Sequence, residues 1–255
     1  MKLVMDDLHC GYGKKEIIKT GVITVEPGRV LTLIGENGSG KSTLLKTLAC
    51  LMKPLSGNFI IDGRDPGKLS RKERADLISY LPQNTGLPDM RVQVLTGHGR
   101  YSKKNIGERS SEADRNAVEQ ALAITGMTDF ADRNIRELSG GERKKAFLAM
   151  MIAQDADIVL LDEPFADIDI GHKSKLHELL RELTKKGKIV IMSSHDLPES
   201  FSISDDIALI HDGRIIAYGN PEKISKDREI LRTAMGVALK RSEDKNTLYE
   251  YELVR

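Results

Sequence analysis

The stretch Gly35, Glu36, Asn37, Gly38, Ser39, Gly40, Lys41, Ser42, Thr43 fits the pattern G-x-x-x-x-G-K-[ST], whose chemistry is the holding of phosphate. Glycines allow the tight loop and let backbone N–H groups close around phosphate oxygens with no Cβ in the way. The helix expected to follow adds its positive end. Lys41 is placed to reach β- and γ-phosphates, and the Ser42 hydroxyl to bind Mg²⁺. Further on, Asp162 and Glu163 close the apolar run Ile158 to Leu161. Adjacent carboxylates at the tip of a buried strand are costly unless a cation shares them. Downstream of a phosphate loop, the first acid suits Mg²⁺ and the second suits a general base that polarises water. Alone, the pair could equally be an Asp-Glu-Pro turn that caps a strand.

Leu138, Ser139, Gly140, Gly141 and Glu142 precede an apolar helical run, Ala146 to Ala153. Locally they read as a serine N-cap and glycine turn. A hydroxyl, two unobstructed amides and a helix N-terminus can also contact a phosphate, and a second anion site of this kind suggests two chains sharing one nucleotide. His195 follows two serines and by itself is an ordinary loop histidine. His9, His98, His172, His177 and His211 lack metal-ligand spacing and read as solvated or packed.

These residues need elements to position them. Short β-branched runs alternate with helical stretches, which predicts an α/β sheet. Arg29 to Ile34 reads as a buried strand that feeds the glycine loop. A helix over Lys41 to Leu51 puts Leu44, Leu45, Leu48 and Leu51 on one face. Ile158 to Leu161 and Ile189 to Met192 read as central parallel strands. Between them, Lys173 to Lys186 carries leucines at 176, 179, 180 and 183 in a helical stripe. From about Leu87 to Ile152 the patterns are helical with no convincing strand. There, Glu112 to Thr125 would bury Ala117, Ala121, Leu122 and Ile124, with capping chemistry at Ser110, Ser111 and Glu112. The expected organisation is a discontinuous core, 1–86 and 153–239, with a helical subdomain at 87–152 and a tail at 240–255. The tail alternates from Leu248 to Leu253 and could be an edge strand or a frayed end.

Bulk properties narrow the class. The chain has 255 residues, 40% of them hydrophobic, with 39 basic and 38 acidic side chains. That is one large domain, or a domain with an insert. A balance this even argues against a protein built to grip a nucleic-acid backbone. No apolar stretch approaches the roughly 20 residues needed to span a bilayer, and no signal-peptide block opens the chain. Cys10 and Cys50 form no CxxC pair, so a reducing compartment is the default.

Taken in order, these motifs resemble those of the ATP-binding subunits of ABC transporters, from about residue 2 to 235. The phosphate loop, Leu81-Pro82-Gln83, the signature Leu138–Glu142, Asp162-Glu163, Asp169 and His195 stand in that family's order. The resemblance implies a P-loop α/β core with an inserted helical subdomain and an N-terminal antiparallel β region, and ATP and Mg²⁺ as ligands. Tyr12 would stack on adenine, the lesser alternative being a tyrosine in a turn between edge strands. Gln83 would touch Mg²⁺ or water and report nucleotide state. Asp169 would sit in the loop that faces a second copy. Two copies would face head to tail, Ser139, Gly140 and Gly141 of one contacting the γ-phosphate held by Lys41 and His195 of the other. Two departures stand out: Ala166 occupies the usual serine position beside Phe165 and Asp167, and Arg143-Lys144-Lys145 replaces Gln-Arg after the signature. The basic run reads as a solvated helix face.

Several stretches are similar to the subfamily that serves iron-siderophore, haem and cobalamin uptake: Leu55-Ser56-Gly57, Ile61-Asp62-Gly63, Leu69 to Glu73 leading to Gln83, and Val94 to Arg100. The resemblance therefore implies an importer ATPase at the cytoplasmic face of a membrane. Its implied partners are a second copy, two transmembrane permease subunits and a separate substrate-binding protein, with no nucleic acid. The alternatives are a soluble ABC ATPase of DNA maintenance, disfavoured by the lack of long coiled coils, or a different transporter class.

Overall fold

A computed structural model describes residues 1–104, 108–166, 170–241 and 249–252. In chain order the strands are β1 (Leu3–Tyr12), β2 (Lys15–Lys19), β3 (Val22–Val25), β4 (Val30–Gly35), β5 (Ser56–Ile61), β6 (Ile78–Leu81), β7 (Ile158–Leu161), β8 (Ile189–Ser194), β9 (Asp206–His211), β10 (Arg214–Gly219), β11 (Ala238–Arg241) and β12 (Tyr249–Glu252). The helices are α1 (Lys41–Leu48), α2 (Arg71–Leu77), α3 (Val92–His98), α4 (Glu112–Thr125), α5 (Gly140–Gln154), α6 (Ile170–Lys185), α7 (Leu197–Ile203), α8 (Pro221–Lys226) and α9 (Arg228–Met235).

One ten-stranded sheet organises the molecule, in the order β3-β1-β2-β10-β9-β4-β8-β7-β6, with β5 also paired to β1. The strands β9, β4, β8, β7 and β6 run parallel, while β1 pairs antiparallel with β2, β3 and β5. Every residue of β4, β7 and β8 is buried. That is why these strands read as nearly continuous apolar runs, as expected where a parallel sheet is covered on both faces.

One core cluster joins the antiparallel strands to α1 through Leu8, Ile18, Leu44, Leu45 and Leu48. On the other face, Leu176, Leu179, Leu180 and Leu183 of α6 pack against β7 and β8, so the predicted stripe is buried as expected. A separate cluster, built on Val92, Leu95, Ala121, Leu122, Ala146 and Ala149, holds α3, α4 and α5 together. Helix α4 spans the predicted residues, and of the three offered capping residues Ser111 is the one used, in a capping box with Asp114.

Three details differ from the sequence expectation. Leu51 is 66% exposed. The helix stops at Leu48 because Cys50 turns left-handed at φ 55°, and the amides of Cys50 and Leu51 return to the carbonyls of Thr47 and Lys46. This is a Schellman stop made without glycine. Ile124 is likewise 51% exposed, since it lies off the stripe that α4 turns toward α5. Finally, Tyr249–Glu252 joins no edge of the main sheet: it pairs with Ala238–Arg241 in a two-stranded sheet of its own. Buried Tyr249 packs edge-on against Phe201 at 5.6 Å. Leu248 and Leu253, which completed the alternation, lie outside the described residues.

Candidate functional site

Parallel register gathers the chemistry at one rim. Leu81 pairs with Leu161, Leu161 with Met192, and Leu33 with Ser193. Gln83, Asp162, Glu163, Ser193, His195 and the loop after Gly35 therefore leave neighbouring strands at their carboxyl ends. Open α/β sheets bind ligands at that edge.

Gly38 and Gly40 hold φ of 83° and 104°, where side chains are strained. A Cβ on Gly40 would also lie 2.8 Å from Cβ of Ile18. Contact with β2 thus presses the Tyr12 hairpin against the loop. Tyr12 is 54% exposed at the end of β1, which leaves its ring open to a flat partner. Glu36, Asn37 and Gly38 are exposed, whereas Lys41 and Thr43 are buried. The Lys41 ammonium donates to the carbonyls of Gly35 and Glu36 at 2.7 and 3.0 Å. Burial lowers its pKa, opposed by the nearby carboxylates of Glu163 and Asp162.

Asp162 is the hub of an oxygen cluster. Its Oδ1 accepts from Ser42 Oγ at 3.0 Å and from Ser193 Oγ at 2.6 Å, and its Oδ2 accepts from the Tyr80 hydroxyl at 3.4 Å. Burial and that carboxylate push the Tyr80 phenol well above its usual range. Glu163 has φ 49°, a conformation few non-glycine residues adopt, and Ser193 Oγ accepts its amide proton at 2.8 Å. Its Oε2 accepts from Gln83 Nε2 at 2.9 Å, and His195 Nδ1 stands 3.5 Å from Oε1.

The structure therefore brings together Lys41, Ser42, Gln83, Asp162, Glu163 and His195. Ser139, Gly140 and Gly141 stand apart, with no hydrogen bond to the loop among the described residues. Ser139 is spent locally: its Oγ accepts from the Glu142 amide at 3.3 Å, and Glu142 Oε2 accepts from the Ser139 amide at 2.8 Å. Asp169 and Asp167 lie outside the described residues.

Three partners of the acids escape sequence reading. Ser193 touches both acids and Tyr80 touches Asp162, and only the doublet Ser193-Ser194 before His195 hinted at the former. Lys144 corrects an expectation: far from being solvated, its Nζ donates to the carbonyls of Glu163 and Ala166 at 2.6 and 2.9 Å. His177 is packed as expected, edge-on to Phe165 at 4.9 Å and 3.3 Å from Glu199.

A model of the ABC transporter family matches residues 19–166. The chain belongs to this family. As an ABC transporter ATP-binding protein it is an ATPase that serves transport, and part of a transporter complex. It is 41% identical to the "Probable siderophore transport system ATP-binding protein YusV" of Bacillus subtilis, over 86% of this chain and 80% of that one. It is 38% identical to the ferric enterobactin transport ATP-binding protein FepC of Escherichia coli, over 86% and 82% respectively. Among solved structures it is similar to CbiO1 of Clostridium perfringens, part of the transporter complex CbiONQ, at 27% identity and a TM-score of 0.76, covering 90% of this chain and 92% of that one. The ABC fold accounts for the mixed sheet, the helical region and the antiparallel strands. Among the described residues no helix is long and apolar enough to cross a membrane.

Proposed function

We propose that this ABC protein binds ATP between two copies of itself at the cytoplasmic face of a membrane and drives import of iron–siderophore-type chelates through two permease subunits. A separate substrate-binding protein would deliver the cargo. The substrate class rests on what the two relatives above are named for; the chemistry rests on Glu163, held between Gln83 and His195 beside the Asp162–Ser42 pair.

The residues fit the nucleotide. Ser39 Oγ is buried with no hydrogen-bond partner, at a loop whose glycines leave room for backbone amides to face a phosphate. They also fit Mg²⁺, which prefers hard oxygen ligands: Ser42 and Asp162 supply paired hydroxyl and carboxylate oxygens, and Gln83, bonded to the neighbouring Glu163, would add its amide oxygen. Bound there, Mg²⁺ would neutralise charge on the β- and γ-phosphates. Lys41 would exchange its two carbonyl partners for phosphate oxygens. Glu163 would take the proton from an attacking water, with Gln83 and His195 fixing the carboxylate and His195 reaching the γ-phosphate. Ser139, Gly140 and Gly141 would donate to that phosphate from the partner copy. Tyr12 would stack on adenine, and Asp169 would face the second copy.

Glu163→Gln keeps the shape and removes the base. It should bind ATP, lose hydrolysis by about 10²–10⁴-fold, and run as an ATP-stabilised dimer in size exclusion. Hydrolysis at the parental rate would refute the base. For transport, capture from detergent-solubilised membranes should bring down a polytopic permease, and Lys41→Ala cells should lose ferric-siderophore uptake. Uptake that survives in those cells would refute the substrate class.

A further inference from the structure

Glu163 is gripped from more sides than a base needs for its proton. Its carboxylate is held by Gln83 and its amide by Ser193. Its carbonyl accepts from the Ala166 amide at 3.3 Å across the turn, and from Lys144 Nζ at 2.6 Å. The same ammonium spans to the Ala166 carbonyl at 2.9 Å, so one cation ties both ends of the turn that carries the base. Bonds from an ionised donor are about twice as strong as neutral ones. A left-handed non-glycine residue persists only where its surroundings over-determine it, and Glu163 at φ 49° is such a residue.

We propose that Lys144 is a positioning residue for hydrolysis, fixing the backbone of Glu163 so that its carboxylate points at the attacking water. The inference rests on Glu163 being the base. Lys144 sits on α5 one turn past Ser139, Gly140 and Gly141, so the helix that presents the signature also holds the base of its own copy. The basic run after the signature is then not interchangeable along its length.

The test is steady-state ATPase of the full chain and its Lys144→Met variant, which keeps the stem and loses the donors. The expected result is a kcat lower by about tenfold or more, with KM for ATP and affinity for a non-hydrolysable ATP analogue within about twofold. Lys144→Gln, which restores N–H donors, should recover part of the rate. In a Glu163→Gln background, Lys144→Met should cost nothing further, since it acts through that carboxylate. A parental kcat in Lys144→Met, or an equal loss in the Glu163→Gln background, overturns the proposal. A matching loss of nucleotide affinity overturns it too. If Lys144→Met does not fold, Lys144→Leu carries the same comparison. Glu163→Gln at the parental rate would overturn the base itself, an outcome read separately from any Lys144 variant.

Discussion

Gln83 Nε2 donates to Glu163 Oε2 at 2.9 Å, a direct bond between the loop after β6 and the second acid after β7. An amide there orients the Glu163 carboxylate without setting a second negative charge beside it. Gln83→Glu would set two carboxylates against each other, and like charges at that range raise the pKa of one. A base must be deprotonated to act, so the acidic limb of the kcat–pH profile should move to higher pH. Gln83→Ala should lower kcat without moving that limb. An unmoved limb in Gln83→Glu would mean the two side chains do not meet during turnover.

Lys41 should matter first for binding. Its ammonium is buried and tied to Gly35 and Glu36, so the loop is already shaped around a cation. Lys41→Ala should weaken ATP binding by about 10–100-fold, the scale of a lost charge-assisted bond. Calorimetry measures this directly. An unchanged affinity would remove Lys41 from the phosphate site.

Glu142 caps α5 from within the signature, and its bonds from the Ser139 hydroxyl and amide hold its carboxyl below the ordinary range. It is therefore an anion beside residues proposed to meet a phosphate. Glu142→Gln keeps the capping box, because either side chain closes it, and deletes that repulsion. The melting temperature should hold while the ATP-dependent dimer tightens by about threefold, the worth of a modest surface charge interaction. Analytical ultracentrifugation reads the change; a looser dimer would show that the negative charge helps closure.

Asp114 anchors the helical region. Burial raises its carboxyl, but the Arg100 guanidinium at 3.0 Å and the Ser111 cap outweigh this and lower it to about 2. A depressed folded pKa contributes stability above the unfolded value near 3.8, and the contribution fades as pH falls toward 2. Asp114→Asn should cost about 2 kcal/mol at neutral pH. Its stability should also vary less than the parent's between these pH values. Urea titrations at several pH values check both.

Local chemistry explains what the sequence made readable. Glycine patterns, apolar strands and leucine stripes are set by neighbours along the chain, so the phosphate loop, β4, β7, β8 and α6 are legible in it. The bonds of Ser193 and Tyr80 to Asp162 depend on register between strands far apart in sequence. No local spacing encodes them. Lys144 reads as solvated because a cation near an exposed helix start usually meets water, whereas here the turn after β7 presents two carbonyls. Leu51 reads as part of the helical stripe because the helix ends on a left-handed cysteine, at a position where glycine or asparagine is the usual stop signal.

Ser139 Oγ accepts the Glu142 amide proton while the Ser139 amide donates to Glu142 Oε2, so the start of α5 is closed by its own side chains. The backbone of Ser139 to Glu142 is thus ordered by folding itself, before any second copy would meet it. The ordering entropy of that surface is already paid, so association need not shape a loop. Encounter of two such rigid faces then depends on charge at the phosphates. Dimer lifetime should follow the chemical state of the nucleotide rather than slow local refolding.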